Sequence, residues 1–158
     1  MTRRAVVIVT STRAAAGEYE DRTGPLIVDW LGEHGFVVDA AQVVADGPEV
    51  AAALSTALAG SPELVVTTGG TGVGRNDGTA DATAALLDKQ LPGFSEELRR
   101  RGAAVTPHSL LTRGVAGIAG STLIVNLPGS AGGVRDGLQL LGEVVDHVLD
   151  QLAGGDHG

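Results

Sequence analysis

The sequence predicts an α/β fold built on a mainly parallel, mixed sheet, and three observations carry that expectation. Short apolar, β-branched runs alternate with segments of helical periodicity, the order expected of strand–helix–strand units. The runs Ala5–Thr10 and Leu64–Thr68 show no polar alternation, as suits strands buried on both faces. Late in the chain only Gly120-Ser121 separates Val115–Ala119 from Thr122–Asn126, a hairpin signal that adds antiparallel pairing.

Taken in order, Ala5–Thr10 is the first strand and Ser11–Glu20 a polar loop of small residues. Arg22-Thr23-Gly24-Pro25 opens a helix, with Pro25 suited to its first turn and Gly35 to its stop. Between them Leu26, Ile27, Trp30 and Leu31 keep helical spacing. Phe36–Val44 reads as one strand, and Gly47-Pro48-Glu49 begins a helix with Val50, Leu54 and Leu58 four residues apart. Leu64–Thr68 is the third strand. It runs into Gly69-Gly70-Thr71-Gly72-Val73-Gly74-Arg75-Asn76-Asp77. Thr79 can cap the next helix, whose first turn holds Asp81 at the positive end of the dipole. In Pro92–Gly102, Ser95 reads as the cap, Glu96 and Glu97 as the first turn, Arg99 to Arg101 as the last and Gly102 as the stop. After the hairpin, Leu127-Pro128-Gly129-Ser130 turns into a helix over Val134–Leu152. Val134, Leu138, Leu141, Val145, Val148 and Leu152 form its apolar face. A single domain over 1–153 follows, with 154–158 a frayed tail.

Composition narrows the function. A chain of 158 residues suits one domain burying about 70% of its unfolded surface. Aromatics are only 3%, which leaves few stacking platforms for bases, and a net charge of −8 argues against nucleic acid or an anionic membrane as partner. Without cysteine there is no disulfide framework, thiolate metal site or thiol nucleophile. Arg3 and Arg4 precede an apolar run, the order of a signal peptide, but that run is too short for an h-region. No run is long enough to span a bilayer, so the expected location is the cytoplasm.

Four glycines within six residues, between a buried strand and a helix start, suit backbone N–H groups facing a phosphate. Gly69 to Gly74 has P-loop glycine spacing, but Arg75 and Asn76 stand where Lys and Ser/Thr are needed. A dinucleotide fingerprint from Gly70 and Gly72 fails at Arg75 for the same reason. In open α/β sheets ligands bind beyond the carboxyl ends of the strands, which puts the loops after Thr10, Val44, Thr68 and Asn126 on one rim. Asp46 and Asp77 each follow a strand and precede a helix. Spacing leaves two roles open for them, a divalent metal at ligand phosphates or a charge favoured at a helix N-terminus. His34, His108, His147 and His157 have no metal-ligand spacing, and no serine sits in a G-x-S-x-G elbow.

Several of these stretches occur together in one order: Tyr19-Glu20-Asp21-Arg22-Thr23-Gly24-Pro25, Thr67 to Gly72 followed by Asp77, Pro92-Gly93-Phe94, Thr106-Pro107 with Arg113, and Asn126-Leu127-Pro128-Gly129-Ser130. In this the chain resembles, over nearly its whole length, the molybdenum cofactor biosynthesis family that includes molybdopterin adenylyltransferase. The resemblance implies a three-layer α/β/α sandwich around the mixed sheet, assembled as a homotrimer or hexamer. It also implies magnesium-dependent adenylylation of molybdopterin by ATP, with release of pyrophosphate. Asp46 and Asp77 match the family acids at the metal and the adenylyl group. Gly69, Gly70, Thr71 and Gly72 match the loop that holds the nucleotide, with Thr10 and Ser11 adding contacts from the first strand end. Asn126, Pro128, Gly129 and Ser130 match the turn that holds the pterin phosphate. An alternative under the same resemblance is a member without catalysis that binds molybdopterin and hands it to a partner such as a molybdate-inserting enzyme.

The chain departs from the commoner family pattern at three places. Gly78-Thr79-Ala80-Asp81 stands for Val-Thr-Pro-Glu, and Gly47 for an acid after Asp46. Ala131-Gly132-Gly133 replaces a Pro-Lys after Ser130, removing a positive group that would favour a phosphate.

Overall fold

The computed structural model describes residues 2–154; of the expected frayed tail, 155–158 lie outside the described residues. The chain runs β1 (Arg3–Thr10), α1 (Thr12–Ala15), α2 (Thr23–Glu33), β2 (Phe36–Val38), β3 (Gln42–Val44), α3 (Pro48–Ala59), β4 (Leu64–Thr68) and α4 (Thr79–Ala84). It continues through β5 (Lys89–Gln90), α5 (Pro92–Ala103), a 3₁₀ turn (Pro107–Leu111), β6 (Ala116–Ala119), β7 (Thr122–Leu127) and α6 (Ala131–Leu152). The strands form one sheet in the order β2-β1-β4-β7-β6-β5, with β3 also pairing β1. β1 to β4 and β7 pair in parallel, whereas β6 and β5 are antiparallel, so the mixed sheet is as the sequence predicts.

Period-two alternation along the buried strands distributes two apolar cores, one on each face. Val7, Leu64, Val66, Leu123, Val125 and Leu127 pack with Ile27 and Leu31 of α2, Leu98 of α5 and Val134, Leu138 and Leu141 of α6. Their neighbours Ile8, Val65 and Ile124 face the other way, against Val50, Ala53 and Leu54 of α3. Helices therefore cover both faces of the sheet, the three-layer α/β/α sandwich.

The second strand differs from its expected form. Phe36–Val44 is two strands, because β1 advances three residues from Ala5 to Ile8 while its neighbour advances four, from Val38 to Gln42. The extra residue in Asp39-Ala40-Ala41 breaks the ladder. Within the expected loop Ser11–Glu20, Ser11 caps the short α1, its Oγ accepting from Ala14 N at 3.2 Å. Ser95 is no cap: α5 begins at Pro92, whose fixed φ suits the first turn, and Ser95 is buried inside it. Thr79 is the first helical residue behind a Gly78 cap. β5 is two exposed residues with no periodicity to announce it.

Helix α5 meets α6 through Leu98 in the shared core and through one ion pair from Arg101, while Glu97 pairs within α5. Arg101 bonds Glu143 at 2.9 Å and Glu97 at 2.8 Å, and Arg100 bonds Glu97 at 2.6 Å. Hydrogen bonds from Arg100 and then Arg101 hold the Glu97 carboxyl down to about 2, from an ordinary 4.5. A depressed carboxyl contributes stability that is complete above its unfolded value and is lost as pH falls through the folded one. Glu97→Gln should therefore flatten the fall in Tm between pH 4.5 and 2, and high salt should shrink the difference because the pair is open to solvent. An acid limb identical to wild type would contradict the assignment.

Candidate functional site

The carboxyl ends of β1, β3, β4 and β7 share one rim, and a cleft of about 580 Å³ opens on it. Thr10, Ser11, Asp46, Gly69, Gly70, Asp77 and Gly129, all named from the sequence, line this cleft together. Backbone geometry explains the two glycines. Gly69 and Gly70 have φ of +89° and +68°, and a Cβ on them would run into the Thr10 carbonyl oxygen and the Thr79 hydroxyl respectively. The β4 end and the β7 turn are clipped together by the Thr68 hydroxyl, which donates to Pro128 O at 2.7 Å.

Each acid is held by its own partners. The Thr12 hydroxyl donates to Asp46 Oδ2 at 2.9 Å and accepts from Asp46 N at 3.0 Å, locking the acid to α1. Asp77 Oδ2 accepts from Gly74 N at 2.8 Å, while Asp77 N donates to Gly74 O at 3.1 Å, which closes a tight turn. Not every loop amide is offered to a ligand, because Gly69 N donates to Leu127 O at 3.2 Å and Gly74 N is committed to Asp77.

Arg113, far along the chain, grips the same loop. Its Nε donates to Gly72 O at 2.8 Å, and its Nη2 to Asp77 O at 2.7 Å. Nη1 and Nη2 reach the two Asp81 carboxylate oxygens, each at 3.1 Å. The guanidinium hydrogen bonds hold the Asp81 carboxyl below its usual range and raise Arg113 in return.

Glu20, Asp21, Asp46 and Asp77 line the cleft with Arg13 and Arg22, an excess of acid. A polyphosphate enters such a cleft only with compensating cations. Among the described residues no group of three or more His, Cys, Asp or Glu could hold a metal ion alone. Two carboxylates completed by ligand phosphates and water suit magnesium. Tyr19 stands half exposed at this cleft, its hydroxyl 2.8 Å from Ser11 Oγ and its ring 5.2 Å from the Arg13 guanidinium. Asp21 also caps the start of α2, accepting from Gly24 N at 3.2 Å.

Other residues named from the sequence lie elsewhere. Thr71 is buried, and its carbonyl accepts from Arg113 N at 2.7 Å. Gly72 lies against the Asp77 carboxylate rather than on the cleft wall. Asn126 is buried too. Its amide donates to the Thr67 and Thr83 hydroxyls at 2.9 and 3.0 Å, and its oxygen accepts from Val115 N at 3.1 Å. That side chain joins β4, β7 and α4 behind the rim and is not turned to a ligand. Pro128 and Ser130 line a second hollow of about 330 Å³, with Arg99, His108 and Asp136. Gly129, between them in sequence, lines the first cleft, so one turn borders both spaces. Ser130 caps α6, its Oγ accepting from Gly133 N at 3.1 Å. The sequence offers no local signal for Arg113, whose side-chain partners lie 32 to 41 residues away.

Residues 6–147 match the family model described as "Probable molybdopterin binding domain". The chain is 39% identical over 155 residues to a molybdenum cofactor biosynthesis bifunctional protein of Synechococcus elongatus, covering 98% of this chain and 49% of that one. It thus spans about half the length of the bifunctional relatives it matches. It is 38% identical over 148 residues to a molybdopterin adenylyltransferase of Pyrococcus furiosus, covering 90% of this chain and 87% of that one. The solved Mog protein of Mycobacterium ulcerans shares the fold at a TM-score of 0.92 and 49% identity, covering 98% of this chain and 99% of the other. The matched segment takes in the whole rim, with both acids, the glycine turn and the turn shared by the two hollows, and on that match the chain belongs to the molybdopterin-binding domain family of molybdenum cofactor biosynthesis.

Proposed function

We propose that this chain transfers AMP from ATP to the terminal phosphate of molybdopterin, releasing pyrophosphate. The observation that carries the proposal is the meeting of Asp46 and Asp77, from separate loops, in one cleft with the Gly69-Gly70 turn. Relatives named molybdopterin adenylyltransferase support it. A terminal phosphate oxygen of molybdopterin would attack the α-phosphorus of ATP. The bond from that phosphorus to the bridging oxygen breaks, and pyrophosphate leaves with the electron pair. No protein nucleophile is needed, so the chain's work is alignment and neutralisation of charge.

In this scheme the cleft takes the nucleotide, with phosphates against the side-chain-free turn of Gly69 and Gly70. The second hollow takes the pterin, and Gly129 and Ser130 hold its phosphate where the two spaces meet. Asp46 and Asp77 would hold magnesium, which supplies the positive charge that the acidic cleft lacks. Thr12 and Gly74 N keep the two carboxylates oriented. The same proposal places the chain in the cytoplasm, as a homotrimer that passes its product to a molybdate-inserting enzyme.

One observation favours a second reading. The turn after Ser130 is Ala131-Gly132-Gly133 and carries no cation, which suits a domain that binds molybdopterin and releases it unchanged. Pyrophosphate release separates the two. Adenylylation requires release that depends on both ATP and molybdopterin. Saturable molybdopterin binding with release at background supports the carrier instead.

A further inference from the structure

We propose that Arg113 is the positioning residue for Asp77, setting the carboxylate's place in the cleft by gripping the backbone of its loop, with Asp81 as the anchor. The proposal rests on the assignment of Asp77 to the adenylyl transfer. From Val73 to Asn76 the loop is exposed and holds itself by only a tight turn between Gly74 and Asp77. That turn fixes the carboxylate relative to the loop but not relative to the sheet. Thr79 closes the base of the loop, its N donating to Gly70 O at 3.1 Å and its hydroxyl to Thr10 Oγ1 at 3.2 Å, and Arg113 supplies the tie at Asp77 itself. It meets the loop at three carbonyls, those of Thr71, Gly72 and Asp77, bracketing the exposed stretch on both sides.

The geometry also excludes a direct catalytic role. The guanidinium nitrogens donate to Gly72 O, Asp77 O and both Asp81 oxygens, and Arg113 does not line the cleft. It is therefore committed to protein acceptors and not to a phosphate. The task needs a planar fork: two backbone carbonyls and a bidentate carboxylate lie around it, and an ammonium cannot reach all three groups at once. Asp81 stands in the first turn of α4, whose Thr79 and Thr83 are buried, so the anchor is part of the rigid frame. It stands where the family's commoner pattern has a Glu, and the shorter acid still meets Arg113 through both oxygens.

The test is steady-state AMP transfer by the full chain, comparing wild type with Arg113→Ala, Arg113→Lys, Asp81→Asn and Asp77→Asn. A carboxylate displaced by about 1 Å costs on the order of 100-fold in turnover. Arg113→Ala should lower kcat by about that factor with KM for ATP little changed, and added methylguanidinium should restore part of it. Arg113→Lys should be nearly as impaired, and Asp81→Asn should lose about tenfold in kcat while remaining folded. Trypsin gives a readout that does not depend on activity: nicking after exposed Arg75 should be faster in the Arg113 variants. Wild-type kcat in Asp81→Asn and Arg113→Lys, or unaltered nicking at Arg75, overturns the positioning role. If Asp77→Asn itself turns over at the wild-type rate, the assignment of Asp77 fails instead, whatever the Arg113 variants do.

Discussion

Asp77→Asn should lower AMP transfer by about 10²- to 10³-fold while molybdopterin binding changes little. The substitution preserves shape: the Asn oxygen can still accept from Gly74 N, which bonds Asp77 Oδ2 at 2.8 Å, so the tight turn survives. What is lost is one negative charge in the cleft. A carboxylate that helps hold magnesium at the phosphates acts on charge that develops as the α-phosphorus changes partners, so its removal reduces kcat more than ground-state binding. Pterin binding should be spared because Pro128 and Ser130 border the other hollow, and Asp77 does not line it. Calorimetric binding of molybdopterin, measured beside pyrophosphate release, checks both halves. Equal losses of binding and turnover would remove Asp77 from the chemistry.

Gly69→Ala should be the most damaging single-methyl change in the rim. Gly69 sits at φ +89°, where an L side chain is strained by about 1–3 kcal/mol. Its new Cβ would also meet the carbonyl oxygen of Thr10, and a backbone atom in a buried strand cannot step aside as a flexible side chain would. Overpacking of this kind costs about 1–3 kcal/mol more. At about 2–4 °C per kcal/mol for a chain of this size, the combined cost of about 2–6 kcal/mol should lower Tm by about 4–24 °C. Activity should fall further than stability, because relief of the clash moves the β1 and β4 ends apart, Asp77 stands on the loop beyond β4, and Asp46 is bonded to Thr12 just beyond β1. Gly32→Ala is the matched control. It lies in α2 with nothing within 4 Å of the added carbon, so Tm should hold or rise slightly. Thermal scans of both variants decide it: a Gly69→Ala protein as stable as Gly32→Ala would contradict the account of the turn.

The parts of the site legible in the sequence were those announced by local chemistry. Buried strands read as unbroken apolar runs, their ends followed from those runs, and a rim at parallel strand ends follows from the fold class. Asp46 and Asp77 were visible because each lies between a strand and the start of a helix. What was not legible depended on partners distant in sequence. Asn126 sits at the close of a strand beside a turn, where an amide suits a ligand as well as a neighbour. Only packing shows that Thr67, Thr83 and Val115 saturate it. Arg113 was named before the hairpin only as part of the family pattern, without a role, because every group its side chain holds comes from an earlier loop and helix. The break in Phe36–Val44 was hidden for another reason: one extra residue at a sheet edge leaves no mark in hydrophobic pattern, only in register against β1. Ser95 misled because a capping residue and a small buried residue look alike when Pro92 already starts the helix.

The most direct measurement of the central claim follows the phosphorus. Wild-type protein with magnesium and molybdopterin is given ATP labelled at the α-position, and in parallel ATP labelled at the γ-position. Adenylyl transfer predicts label on the pterin from α-labelled ATP alone, with γ-label recovered entirely in pyrophosphate. Label on the pterin from the γ-position, or from neither while molybdopterin still binds, would contradict it.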